Sequence, residues 1–428
     1  MELSFWAATD VGKKREINED NFLVDKKLSL FVVADGMGGH ASGEVASHLA
    51  VHEFRAAVEA GKDIIERYAK GDTTVRPQDI LALLESAIHA AGSAVYQKGQ
   101  AEPEKRGMGT TTSALLIAGD RGFIAHVGDS RVYMLRSGQV VQLTEDHSLL
   151  NELIRRGKIT KEGFEDSPYK QYKNAVTRAV GVYETVQGDT IDFEILPGDQ
   201  FLVCSDGLHA YLDDQKIIEL PKGDDVTDVP KKMVELANAG GGHDNITALV
   251  VRVGSLAVGA APDNRAEELT RKIEVLKQMP LFQHLSYKEI IRVLNVTEVR
   301  EFAPGQEIIK EGAPGEEMFI VLRGKVRLHK NGAFITNLAA GSHMGEMALV
   351  DRGPRSVSAT AEERSRVLSL RRREFYQIIR KDPQLSVKLL WSFVQVLADR
   401  LRKTTEDLSG ARLEADALDM TDNVLFDE

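Results

Sequence analysis

The chain of 428 residues has a single cysteine, Cys204, so an internal disulfide and a cysteine-built zinc cage are both excluded. Cys204 ends the apolar run Phe201-Leu202-Val203-Cys204 and reads as a packed thiol in a buried strand. Long hydrophobic runs are also lacking: no stretch approaches the roughly 20 apolar residues that span a bilayer, so no membrane partner is expected. The opening residues, Met1-Glu2-Leu3-Ser4-Phe5-Trp6, have neither a basic start nor an extended apolar core, and a cytoplasmic location is expected. Basic charge is in deficit, with 54 Lys and Arg against 65 Asp and Glu and a net charge of -11. That argues against a nucleic-acid partner, whose phosphates call for a basic face. No repeat of fixed period is visible. What is present is ordinary for a globular protein, 43% hydrophobic and 28% charged residues, in a chain too long for one core. Two domains are expected.

Residues 1–253 alternate short β-rich runs with longer helical stretches. Phe31–Ala34, Thr112–Ile117 and Ile246–Val251 are short, apolar and rich in β-branched residues, as buried strands are. Helices are predicted over Ala46–Tyr68 and Pro77–Tyr96, the second with Leu81, Leu83, Leu84, Ile88 and Ala91 on one face. Residues 254–277 read as a small-residue linker followed by a helix from Arg265 to Lys277. Residues 278–405 form a second unit. From Glu298 to Leu370 glycines recur every several residues, the texture of a small antiparallel roll. Helices follow over Arg373–Ile379 and Leu385–Leu401, and residues 406–428 read as a loose acidic tail.

Four segments of the first unit place carboxylates at strand ends: Asn18-Glu19-Asp20-Asn21, Ala34-Asp35-Gly36-Met37-Gly38-Gly39-His40, Ser205-Asp206-Gly207 and His243-Asp244-Asn245. Strand ends hold carboxylates rigidly, and an Asp-Gly step can turn a backbone carbonyl inward as a further oxygen ligand. One Asp-Gly alone is an ordinary turn. Several carboxylates together repel unless a hard cation, Mg²⁺ or Mn²⁺, neutralises them.

With Arg15-x-x-Asn18-Glu19-Asp20, Gly107-Met108-Gly109-Thr110-Thr111, Val127-Gly128-Asp129-Ser130-Arg131 and Gly242-His243-Asp244-Asn245-Ile246-Thr247, these segments stand in the order of the metal-dependent (PPM, type 2C) protein phosphatases, and residues 1–253 resemble that family. The resemblance implies a sandwich of two sheets between helices, an α+β fold, with two divalent ions at one end. Asp35 would bridge both ions with the Gly36 carbonyl on one, and Asp206 and Asp244 would hold the other. Glu19 and Asp20 would bind ion-held waters, Asp129 with Asp206 a third ion, and Arg15 the substrate phosphate. Animal members carry a histidine, the proposed general acid, where this chain has Met37, which donates no proton. A histidine stands instead at His40, where a structural role is favoured, and a metal-held water could protonate the leaving alkoxide. Residues 148–180 match the family's variable flap. His147, His209 and the run Thr110 to Thr112 read as structural.

In the second unit, Gly345-Glu346-Met347-Ala348-Leu349 and Pro354-Arg355-Ser356-Val357 set one carboxylate and one arginine in a short loop able to offer backbone N–H groups to an anion. A structural Arg–Glu pair is the alternative. With Gly305-Gln306, Glu311-Gly312, Gly315 and Met318 to Val326, the segment is similar to a cyclic-nucleotide-binding domain, from about Leu281 to Leu401. Gly345 and Glu346 would then hold the ribose, and Arg355 with the N–H groups near Ala348, Ser356 and Val357 the cyclic phosphate. Val321 and Leu338 would face the nucleotide. Met344 replaces the usual aromatic, and Val357 the usual alanine. Trp391 and Phe393 read as core residues, and Arg371 to Arg373 as a solvated helix start. Cyclic AMP and cyclic GMP are not separated.

The resemblances together imply hydrolysis of phosphoserine and phosphothreonine in proteins, under control of a cyclic nucleotide. The alternatives are a silent phosphatase fold serving as a scaffold, a phosphatase of small metabolites, or an active phosphatase with a module that no longer binds.

Overall fold

The computed structural model describes every residue except 1, 39–41, 137, 161, 165, 173–174, 220–226, 255–263, 382 and 425–428. His40 and most of the small-residue linker therefore lie outside the described residues. The chain divides into two compact units, Met1–Ala266 and Glu267–Glu428.

The first unit runs β1 (Leu3–Asp10), β2 (Asp20–Asp25), β3 (Leu30–Met37), α1 (Ser42–Ala60), α2 (Lys62–Ala69), α3 (Pro77–Ala101), β4 (Gly109–Thr110), β5 (Thr112–Ala118), β6 (Arg121–Val127), β7 (Arg131–Arg136), β8 (Gln139–Gln142), α4 (Leu149–Arg155), β9 (Asp189–Glu194), β10 (Gln200–Cys204), α5 (Asp206–His209), α6 (Asp214–Glu219), α7 (Val229–Ala239) and β11 (Ile246–Val253). Two antiparallel sheets result, one ordered β1-β11-β10-β7-β8 and one β2-β3-β5-β6-β9 with β4 beside β3. Side chains of β3 alternate between two cores. Leu30, Val32 and Ala34 pack with α1 and α3, while Phe31 turns the other way and meets Phe5 of β1 at 5.4 Å between ring centroids. Phe193 of β9 and Phe201 of β10 bridge the sheets likewise, at 5.7 Å. Leu202, Cys204, Ala248 and Val250 pack with Val229, Met233 and Ala237 of α7 on the outer side of the first sheet. The layers are helix, sheet, sheet, helix. Cys204 is fully buried and free, as expected, and burial pushes its thiol up to about 12.

The helix predicted over Ala46–Tyr68 is two helices, α1 and α2, divided at Gly61. A Cβ there would stand 2.5 Å from Leu83 Cδ1, so glycine lets α3 close onto the break.

The second unit runs α8 (Asn264–Gln278), α9 (Tyr287–Leu294), β12 (Thr297–Phe302), β13 (Glu307–Ile309), β14 (Glu317–Arg323), β15 (Val326–Lys330), β16 (Ala333–Leu338), β17 (His343–Met344), α10 (Met347–Val350), β18 (Ser358–Ala361), β19 (Ser365–Arg371), α11 (Arg372–Lys381) and α12 (Pro383–Val424). Two four-stranded antiparallel sheets, β12-β19-β14-β17 and β13-β18-β15-β16, form the roll. Ile309, Phe319, Val321, Val326, Met344, Ala359 and Val367 fill it, with Leu338 packed against them. Val321 is thus enclosed in the core, and Met344 fills the aromatic's place by packing.

Three expectations are corrected here. Residues 406–424 continue α12 as helix: no proline follows Pro383, and Leu, Ala, Glu and Arg supply 9 of the 19 residues. Trp391 is 58% exposed, while Phe393 is buried as read. Arg372 is not a solvated start: it donates to the carbonyls of Ala348 and Gly315 at 2.6 and 2.9 Å, tying α11 to α10 and to the turn before β14. Among the described residues no helix is long and apolar enough to cross a membrane.

Candidate functional site

The ends of both sheets converge on one cleft. Asp20 and Asp35 are register partners across β2 and β3. Asp206 opens α5 directly after β10, and Asp244 stands two residues before β11, the strand next to β10. Asp129 lies in the turn from β6 of one sheet to β7 of the other. Arg15, Glu19, Asp35, Gly36, Met37, Thr111, Asp129, Val176, Asp206 and Asp244 line the cleft, and Asp20 is buried behind them.

Backbone and hydroxyl bonds lock these acids in place. Asp35 N–H donates to Thr111 Oγ1 at 2.9 Å, and the Thr110 hydroxyl donates to the Asp35 carbonyl at 2.8 Å. The hydroxyls of Ser205 and Thr247 both donate to Asp20 Oδ2 at 2.7 Å. Glu19 N–H donates to Asn245 Oδ1, and Gly43 N–H to Glu19 Oε1. A Cβ on Gly36 would stand 2.1 Å from the Gly43 carbonyl oxygen, and one on Gly207 2.0 Å from that of Asn245. Only glycine allows the backbone to approach so closely at these two Asp-Gly steps.

Electrostatics shows what the cleft lacks. Burial pushes Asp20 up to about 7, against the two hydroxyl bonds and with the charges of Asp206 and Asp244 adding to it. Asp35 is raised well above the carboxylate range by burial, then by Asp20, Asp206, Asp129 and Asp244. Asp129 rises to about 7 through burial and Asp206, and Asp206 rises through burial and Asp244. Arg15 donates to Asp244 Oδ2 at 2.8 Å, a bond that raises its own pKa, with half its side chain open to solvent. Asp20 Oδ1 and Asp206 Oδ1 are buried and accept no hydrogen bond among the described residues. Buried carboxylate oxygens without donors are costly, and a hard cation is the partner this all-oxygen set suits. As the side chains stand, no group of three or more His, Cys, Asp or Glu among the described residues is close enough together to hold a metal ion. An open ring of carboxylates fits ions that keep several waters, as Mg²⁺ does.

The structure brings together all the predicted acids, Gly36 and Arg15. Thr110 and Thr111, read as structural, hold the Asp35 backbone; missed were the supports Ser205, Thr247 and Asn245, together with Val176 on the cleft wall. His147 is buried and His209 half-buried. His209 contacts the Asp129 carbonyl at 3.0 Å, and burial pulls it down to about 4, so it is neutral.

In the roll, Gly345 has φ +74 and leads into α10, with Glu346 buried at its start. Arg355 is half-buried. It donates to the carbonyls of Gly345 at 3.2 Å and Glu317 at 2.6 Å. A Cβ on Gly315 or Gly345 would collide with its guanidinium, at 2.3 and 2.4 Å. Burial lowers its pKa against the pull of Glu317 and Glu346. Ser356 is exposed and Val357 half-buried. Ala348 N–H, expected to face a phosphate, donates to the Gly345 carbonyl at 3.1 Å within the first turn of α10.

Residues 299–382 match the cyclic nucleotide-binding domain, and residues 12–246 match protein phosphatase 2C. The serine/threonine protein phosphatase PstP of Mycobacterium tuberculosis is 37% identical over 253 residues, 59% of this chain and 45% of that protein. The chain therefore spans about half the length of this relative. The serine/threonine phosphatase stp of Listeria innocua is 37% identical over 57% of this chain and 93% of its own. A crystal structure of the Mycobacterium phosphatase superposes with a TM-score of 0.51 at 35% identity, covering 59% of this chain and 99% of that one. Its catalytic domain in complex with two manganese ions gives 0.50, with the same identity and coverage. With its acidic cleft between two sheets and a family match across residues 12–246, this chain belongs to the protein phosphatase 2C family.

Proposed function

We propose that the protein hydrolyses phosphoserine and phosphothreonine in protein substrates, using two divalent cations, and that a cyclic nucleotide bound to the roll regulates it. One observation carries the first part. Carboxylates from both sheets converge, with two buried oxygens lacking donors, beside an arginine open to solvent. The manganese ions of the Mycobacterium catalytic domain and the names of both relatives support the same reading.

Asp35, the Gly36 carbonyl, Asp206 and Asp244 would hold the two ions, Mg²⁺ or Mn²⁺. Glu19 and Asp20 would hold their waters, and Asp129 with Asp206 a weaker third ion. Such ions supply a water of lowered pKa and neutralise phosphoryl oxygens. Arg15, tethered by Asp244, presents its free donors to the substrate phosphate as a planar fork. Thr111 and Thr110 fix the backbone of Asp35 at its N–H and its carbonyl, which sets the point from which the carboxylate projects. Met37 lines the cleft and offers no proton; the alkoxide is protonated from water.

In the roll, Arg355 is the cation for the cyclic phosphate and Glu346 the acceptor for the ribose. The nucleotide's charged oxygens outcompete the neutral carbonyls of Gly345 and Glu317 for Arg355, since charge-assisted bonds are the stronger. Binding therefore reshuffles the β14–α10 contact. It changes turnover to the extent that the nucleotide distinguishes two states.

Initial rates on a phosphoserine peptide test both parts, with Mn²⁺ or with chelator, and with cyclic AMP, cyclic GMP or neither. Chelator is expected to abolish turnover, and one of the nucleotides to change it. Turnover that persists in chelator defeats the catalytic reading. A rate unmoved by saturating nucleotide defeats the regulatory one.

A further inference from the structure

Helix α12 is apolar on two faces. Leu385, Leu389, Phe393 and Val396 are buried within the second unit, where Phe393 packs edge-on against Phe375 of α11 at 5.5 Å. Away from that face, Val387 is 67% exposed, Leu390 47%, Trp391 58%, Val394 58% and Leu401 70%. A helix serving one body carries polar residues on its outer side. Five large apolar side chains within four turns require another explanation.

Their spacing supplies it. Val387, Val394 and Leu401 recur every seven residues, and Leu390 and Leu397 follow the first two by three. The sequence keeps the same repeat through Thr404, Leu408, Ala411, Ala415 and Leu418, with Thr404 the one polar residue of ten. A sustained apolar 3-4 repeat is satisfied by a second helix with the same repeat, wound as a coiled coil. In the first two heptads valine at the first position (Val387, Val394) with leucine three residues later (Leu390, Leu397) favours two parallel strands. The seam from Val387 to Leu418 is about 46 Å long at 1.5 Å per residue. Closing its nine apolar positions in both copies would bury on the order of 1,000 Å², the area a specific interface needs.

We propose that α12 is a dimerisation element: a second copy of this chain docks its own α12, parallel and in register, along Val387 to Leu418. Trp391, beside the seam, widens the covered surface. The repeat itself names the occupant, because each helix carries the complement of its own stripe.

Sedimentation equilibrium on the full chain at tens of micromolar is expected to give twice the mass of one chain. The double substitution Val394→Asp and Leu401→Asp is expected to give the single-chain mass with an unchanged far-ultraviolet spectrum, as both side chains are more than half exposed in one chain. Leu401→Cys gives an independent readout. Parallel pairing brings the two new thiols to disulfide distance, while Cys204 is fully buried, so mild oxidation should yield a covalent dimer. A single-chain mass for the unsubstituted protein, a dimer that survives the double substitution, or no covalent dimer from Leu401→Cys would each overturn the proposal.

Discussion

The acidic cleft of the first unit and the arginine cradle of the second solve opposite problems. In the cleft, charge of one sign is gathered until Asp35, Asp20 and Asp129 are all raised out of the carboxylate range, and two buried oxygens stay without donors. In the cradle, the guanidinium of Arg355 is already bonded to two backbone carbonyls. The first arrangement is incomplete until cations enter. In the second the arginine is already engaged, and its ligand must displace bonds that exist. A site under electrostatic strain suits a permanent cofactor, and an arginine whose bonds can be exchanged suits a signal that comes and goes.

The largest effect should come from breaking the cleft. Asp206→Ala is expected to lower turnover by at least about 10²–10³-fold with folding intact, the scale of losing a charge-stabilising group. Rates on the phosphopeptide alongside circular dichroism check it. Arg15→Ala should cost less, roughly 10–100-fold in kcat/KM, because it removes one charge-assisted contact to phosphate while the acids stay in place. On the cradle side, Arg355→Ala should weaken cyclic-nucleotide affinity by roughly 10–100-fold, measured by calorimetry.

The smallest effect separates the two sites by pH. Asp20 and Asp129 have folded pKa values of about 7, above the unfolded value of 3.8, so the folded state holds protons that the unfolded state has lost. Stability of the cation-free protein must then fall as pH rises toward 8. His209, held down near 4, loses stability only below its unfolded value of 6.5 and is silent above it. Between pH 6.5 and 8 the cation-free Tm should drop by several degrees, and saturating Mn²⁺ should reverse the slope. Asp20→Asn should flatten it. A cation-free Tm rising over that window would remove the argument for charge strain.

Much of the cleft was legible because its acids follow or precede strands whose apolar runs are unmistakable, as with Asp35 after Phe31–Ala34. Its supports were not. Thr111 meets the Asp35 N–H across 76 residues of sequence, and Thr247 reaches Asp20 across 227. A threonine inside a strand looks the same whether or not its hydroxyl serves an acid. The cradle was legible as a segment, but Ala348's N–H proved to be used within its own turn, which depends on backbone geometry. The stretch Leu385–Leu401 was legible as a helix with Trp391 and Phe393 as core, while the structure buries Leu389 and Phe393 and leaves Leu390, Trp391 and Val394 on an open face. Periodicity reports how much of a helix is apolar, and only packing reports how many partners it has.

Titrating the cation-free full chain with Mn²⁺ in a calorimeter tests the claim of a charge-strained cleft most directly. At least two ions per chain are expected, with Asp35→Asn abolishing the tightest. Binding of no ion, or binding that Asp35→Asn leaves untouched, would contradict it.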